Sequence, residues 1–126
     1  MNDIRVLLID DEEELVATLK ERLGLRGIRA ETAVTVDQAR ECAREAEFDV
    51  VVVDLKMPGL DGTEIVARIR EQHPRTGVLM ITGHGSGHGE LDRSSHGGHR
   101  ILLKPFSFDR LVELIREAAA ETEGDR

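Results

Sequence analysis

Tryptophan and tyrosine are absent and the only aromatic side chains are Phe48, Phe106 and Phe108, so any hydrophobic core must be aliphatic. Cys42 is the single cysteine, which excludes an internal disulfide; it falls where a helix's buried face is expected and reads as a small core residue. No apolar run approaches the roughly 20 residues that a membrane span needs. The chain enters a charged, strand-like segment at once, without the pattern of a signal peptide. Basic residues are the minority sign: 25 acidic against 17 basic residues give a formal charge of −8 over 126 residues. That balance opposes unaided binding to nucleic acid or to an anionic membrane. The expectation is a cytoplasmic protein with one domain and one core.

What is present alternates between two periods. Ile4 to Ile9 and Asp49 to Val53 are nearly continuous apolar runs of strand length, as parallel strands buried on both faces require. Ile28 to Thr32, Val78 to Thr82 and Ile101 to Leu103 are weaker strand candidates. Between them lie helical patterns. Leu15, Leu19 and Leu23 recur every four residues after acidic Asp11 to Glu14, whose charges suit a helix N-terminus. Thr35 with Gln38, and Asp61 with Glu64, form capping-box patterns before the apolar positions 39, 42, 43 and 65, 66, 69. A last helix is expected from near Ser107, turning Phe108, Leu111, Leu114, Ile115 and Ala118 inward. Alternating strands and helices predict an α/β fold, a parallel sheet with helices on both faces. The domain is expected to span residues 1–120, with a polar tail over 121–126.

Ligands of an open parallel sheet bind outside the carboxyl ends of its strands. There this sequence places Asp10 and Asp11, then Asp54, Thr82 and Lys104. Singly, each has an ordinary structural reading as a cap, a turn residue or a solvated charge. Together, three carboxylates at one edge would repel one another unless a cation joined them, and a hard divalent ion such as Mg²⁺ suits an all-oxygen set. An aspartate can attack phosphorus to form an acyl phosphate when positioned donors neutralise the phosphoryl oxygens. Lys104 supplies a cation and Thr82 a hydroxyl for that purpose.

The segments VLLIDDEEEL, VVVDLKMPGLDG, VLMITGHG and ILLKPF resemble the signature segments of two-component receiver domains, the CheY-like family, in order and over essentially the whole chain. The resemblance implies a flavodoxin-like (βα)5 fold, a doubly wound five-stranded sheet of order 2-1-3-4-5. It implies that a sensor histidine kinase or phosphotransfer protein phosphorylates Asp54 with Mg²⁺, held by Asp10, Asp11, Asp54 and the Lys56 carbonyl. It makes Thr82 the switch hydroxyl, Lys104 the phosphoryl-binding cation and the Lys104–Pro105 bond cis. Lys56 and His84, each two residues after a site residue, would then tune the lifetime of the phosphorylated state. Such a domain is a signalling switch that catalyses only its own phosphotransfer and dephosphorylation, with no direct nucleic-acid or membrane partner. The wording of two segments is similar to receivers that precede AAA+ transcriptional activators.

The pattern breaks in two places. Ile101 stands three residues before Lys104, where similar receivers carry Tyr or Phe, so the ring to which Thr82 is usually coupled is missing. From His84 to Arg100, five glycines and a single large apolar residue, Leu91, support only a weak or shortened fourth helix, around Glu90 to Ser95, since each interior Gly costs about 1 kcal/mol. His84, His88, His96 and His99 in that segment would either meet around Zn²⁺ or Ni²⁺ or belong to a polar loop without a ligand. Two other functions compete with the phosphorylated switch. One is a receiver-like binding module that signals without phosphate. The other is an Mg²⁺-dependent aspartyl phosphohydrolase, although Lys56 occupies the place where such enzymes carry a second catalytic aspartate.

Overall fold

The computed structural model describes residues 3–45, 47–59, 61–83 and 100–124. Among them five strands, β1 (Ile4–Ile9), β2 (Ile28–Ala33), β3 (Val50–Asp54), β4 (Gly77–Thr82) and β5 (Arg100–Leu103), form one sheet. Every pairing is parallel and the order is 2-1-3-4-5, as expected. The described helices are α1 (Glu13–Leu25), α2 (Val36–Glu45), α3 (Gly62–Gln72) and α4 (Phe108–Gly124). The weak fourth helix expected from the sequence, its turn around Glu90 to Ser95 and the four histidines of that segment lie outside the described residues. No described helix is long and apolar enough to cross a membrane.

The central strands are apolar throughout because both of their faces are covered. Val6, Leu8, Val50, Val52, Leu79, Ile81 and Leu102 pack under α1 and α4, while Leu7, Ile9, Val51, Val53, Val78 and Met80 pack under α2 and α3. Strand β2, at the sheet edge, alternates buried and exposed positions instead. Asp49 belongs to the turn before β3 and not to the strand. Its carboxylate accepts the Arg5 N–H at 2.8 Å and its carbonyl accepts the Gly77 N–H at 2.8 Å, tying three strands at their amino ends. Arg5 also lies 5.3 Å from the ring centroid of buried Phe48.

The helix starts follow their polar residues closely. Thr35 Oγ1 accepts the Gln38 N–H at 3.1 Å, and Gln38 returns its side-chain oxygen to the Val34 N–H at 2.9 Å. Asp61 accepts the Thr63 N–H at 3.0 Å and caps α3, whereas Glu64 turns to Arg40 and Arg68 and makes no return bond. Ser107 Oγ accepts the Arg110 N–H at 3.1 Å at the start of α4. That helix continues to Gly124, beyond Ala120, where the polar tail was expected. Arg100 is the physical reason: its guanidinium fork holds Glu121 through two 2.6 Å bonds and Glu117 at 3.3 Å, anchoring the last turns to β5.

Gly77 opens β4 where α4 crosses it. A Cβ at this position would lie 3.0 Å from the Ala118 carbonyl oxygen and 3.1 Å from the Ala118 Cβ. Overpacking a fixed backbone contact of this kind costs about 1–3 kcal/mol, so Gly77→Val should lower the unfolding free energy by that amount, read as a lower urea midpoint at unchanged m. An undiminished midpoint would show that α4 can move off the sheet freely.

Candidate functional site

The sheet ladder sets the backbone of each site residue at one edge. The Asp10 N–H donates to the Ala33 carbonyl at 3.1 Å, the Leu55 N–H to Ile81 at 2.8 Å, and the Lys104 N–H to Thr82 at 2.9 Å. Asp10, Asp54 and Thr82 are consequently buried polar residues at the carboxyl ends of β1, β3 and β4. Lys104 follows β5 and joins Pro105 through a cis peptide bond, as expected from the resemblance.

The two aspartates are held alike. Asp10 Oδ1 accepts the Glu12 N–H at 2.9 Å, and Asp54 Oδ1 accepts the Lys56 N–H at 2.9 Å. Each is thus locked by a backbone amide two residues later, a local turn typical of aspartate. The second oxygens approach one ammonium: Lys104 Nζ lies 3.2 Å from Asp10 Oδ2 and 3.5 Å from Asp54 Oδ2. Its shortest contact is to neither, but to Glu12 Oε1 at 2.7 Å.

The acidic trio is therefore Asp10, Glu12 and Asp54, with one oxygen of each within 4.8 Å of the others. The sequence pattern pointed to Asp11 in place of Glu12. Asp11 is solvent-exposed at the bend after β1 and lies outside this trio. Glu12 was legible only as one more acidic residue before α1; no local signal distinguishes it, because its partner is 92 positions away.

Lys56 is exposed, and its side chain passes over Gly83: a Cβ on Gly83 would lie 3.4 Å from Lys56 Cδ and 3.6 Å from its Nζ. Ile101 is half-buried, pairs in register with Met80 and packs into the α2/α3 side of the core. His84 lies outside the described residues.

Electrostatics reflect the crowding. Burial raises the Asp10 pKa from its ordinary 3.8, helped by the Asp54 charge and opposed by the Glu12 amide and Lys104. For Lys104, burial alone would lower the pKa, but the Glu12 bond and the Asp10 and Asp54 charges outweigh it and raise it well above the usual lysine range.

Residues 6–116 match the family model of the response regulator receiver domain. The chain belongs to that family. It is 37% identical over 117 residues to the C4-dicarboxylate transport transcriptional regulatory protein DctD of Pseudomonas aeruginosa, covering 90% of this chain and 25% of that one. It is 32% identical over 116 residues to the transcriptional regulatory protein TcrA of Mycobacterium tuberculosis, covering 92% and 46%. Among solved structures, a CheY-like receiver domain protein from Methanospirillum hungatei superposes with a TM-score of 0.86 at 25% identity, covering 99% of this chain and all of that one. The chain thus spans a quarter to about half of these curated relatives. As a receiver domain it is a signalling module, the phosphoryl-accepting part of a two-component relay.

The raised pKa of Asp10 means that its charge opposes folding at neutral pH. Asp10→Asn should therefore stabilise the metal-free protein at pH 7, a gain that costs function, as relief of a strained functional site commonly does. The sign with pH follows from the same shift. The folded wild type takes up the Asp10 proton before the unfolded chain does, so the gap narrows as pH falls through the raised pKa and closes below 3.8. Thermal unfolding of both forms in chelator between pH 7 and pH 3 measures it; a gap that widens on acidification would reverse the assignment.

Proposed function

We propose that Asp54 is the phosphoryl acceptor of this receiver and that a sensor histidine kinase or phosphotransfer protein is its donor. The observation that carries the reading is the placement of Asp54: buried, locked through Oδ1 by the Lys56 amide, with Oδ2 turned toward Lys104. In the transfer, an Asp54 oxygen forms the bond to phosphorus as the bond from phosphorus to the donor's imidazole nitrogen breaks, and the imidazole takes a proton. Lys104 stabilises the phosphoryl oxygens as a point charge and Thr82 donates its hydroxyl to them. The domain catalyses this transfer and the later hydrolysis on itself only.

The donor set fits Mg²⁺, because the converging groups are all hard carboxylate oxygens and the set carries excess negative charge. When bound, Mg²⁺ would supply the positive charge that lets a dianionic phosphoryl group approach Asp54. Asp10, Asp54 and the Lys56 carbonyl would hold it, joined by Asp11 as the family resemblance implies, while Glu12 makes the shortest contact to Lys104. Lys56, beside Gly83, would act on the lifetime of the acyl phosphate, together with His84. The reading places the protein in the cytoplasm, without a direct nucleic-acid contact by this domain, and a transcriptional output rests on the names of its relatives.

Intact-mass measurement after incubation with acetyl phosphate and Mg²⁺ should show one added phosphoryl group in the wild type. Asp54→Ala and chelator should each abolish it; a phosphoryl group that survives either would remove Asp54 or the metal from the reaction. For the metal, Asp11→Asn should weaken Mg²⁺ binding by about tenfold or more, as loss of a ligand or its immediate support does, and Glu12→Gln should change it much less. Calorimetric titration in which Glu12→Gln had the larger effect would give the third carboxylate's place to Glu12.

A further inference from the structure

The shortest bond that Lys104 makes is not to the acceptor. Glu12 Oε1 is 2.7 Å from the ammonium, whereas the acceptor's Oδ2 is 3.5 Å away. The Glu12 side chain is 59% exposed, so its carboxylate draws Lys104 from the solvent side, while the Asp10 and Asp54 side chains, 6% exposed, hold it from within. Glu12 also stands at the N-cap of α1, yet its side chain makes no bond to that helix. An N-cap oxygen ordinarily accepts an amide of the first turn. Here it is given to Lys104 across the site.

A phosphoryl group on Asp54 adds charge on the inner side of the same ammonium. Lys104 has one positive charge to divide, and whatever favours Glu12 disfavours its approach to the phosphoryl oxygens. We propose that Glu12 is a positioning residue, an internal competitor that holds Lys104 partly withdrawn from Asp54 in the unphosphorylated state and sets how readily the phosphoryl group captures it. The proposal rests on Asp54 being the acceptor. Phosphorylation then exchanges one ion pair for another: Lys104 leaves Glu12 for the phosphoryl group, and the Glu12 carboxylate is freed at the mouth of α1.

Two variants separate contact from charge. Glu12→Gln removes the negative charge and with it the competition. Glu12→Asp keeps the charge but is one methylene shorter, and aspartate at an N-cap turns back onto its own helix amides, so it too releases Lys104. The measurement is the affinity for beryllofluoride at saturating Mg²⁺, followed by calorimetry or fluorine NMR because the chain has no tryptophan to report binding. Urea unfolding of each variant verifies that the fold is intact. Both variants should bind beryllofluoride about two- to fivefold more tightly than wild type, the range expected for releasing an exposed ion pair. Tighter binding by Glu12→Gln with wild-type behaviour of Glu12→Asp would reduce the effect to bulk charge and overturn the competition. Unchanged or weaker binding by both variants would overturn it as well, while leaving Asp54 as acceptor if the wild type binds and Asp54→Ala does not. A wild type that fails to bind beryllofluoride at Asp54 would overturn the acceptor assignment, and this inference with it.

Discussion

Two carboxylates, those of Asp10 and Asp54, are buried at the carboxyl edge of the sheet, and one ammonium among the described residues stands against them. Taking like charges out of water is unfavourable, and the raised pKa of Asp10 registers that cost. The cluster persists because the rest of the molecule over-determines it. Each aspartate has one oxygen fixed by a backbone amide two residues on, and each strand end is fixed by a ladder bond to its neighbour. Behind them lie two aliphatic layers, with α1 and α4 on one face and α2 and α3 on the other. This repulsion favours a cation at the edge, and in the chemistry proposed for the site a dianionic phosphoryl group would approach Asp54 only once that cation offsets the charge.

How much was legible in the sequence depended on how local each cause is. Buried parallel strands read as continuous apolar runs, so β1 and β3 were plain, with β3 displaced by one residue because Asp49 pairs its side chain with the Arg5 amide. Helix starts were plain where a short polar side chain caps them, at Thr35, Asp61 and Ser107. Edge strands β2 and β5 gave weaker patterns because one side of each is less covered. What the sequence did not reveal was set by contacts between distant positions. The reach of α4 to Gly124 depends on Arg100 holding Glu121, and the place of Glu12 in the site depends on Lys104, 92 residues away. In the run Asp10 to Glu14 every residue is acidic, and only the turn of the chain after β1 decides which carboxylates face the edge and which face water.

Ile101 bears on how a change at the edge reaches the rest of the domain. An aliphatic side chain offers neither an aromatic ring nor a hydroxyl, and Ile101 is packed into the core beside α2 and α3, opposite Met80. Thr82 meets β5 through the backbone instead, where the Lys104 N–H donates to its carbonyl at 2.9 Å. On the other side, Thr82 is followed by Gly83, whose bare Cα lets the Lys56 side chain pass close by. Lys104 is thus bonded to Thr82 through its main chain and to Asp10, Glu12 and Asp54 through its side chain. A displacement of its ammonium changes its contacts at the end of β1, at the start of α1 and at the end of β3 together, without a ring at position 101. In this receiver Lys104 links the acceptor to the end of β1 and the start of α1 by ion pairs, and to β4 by its main chain.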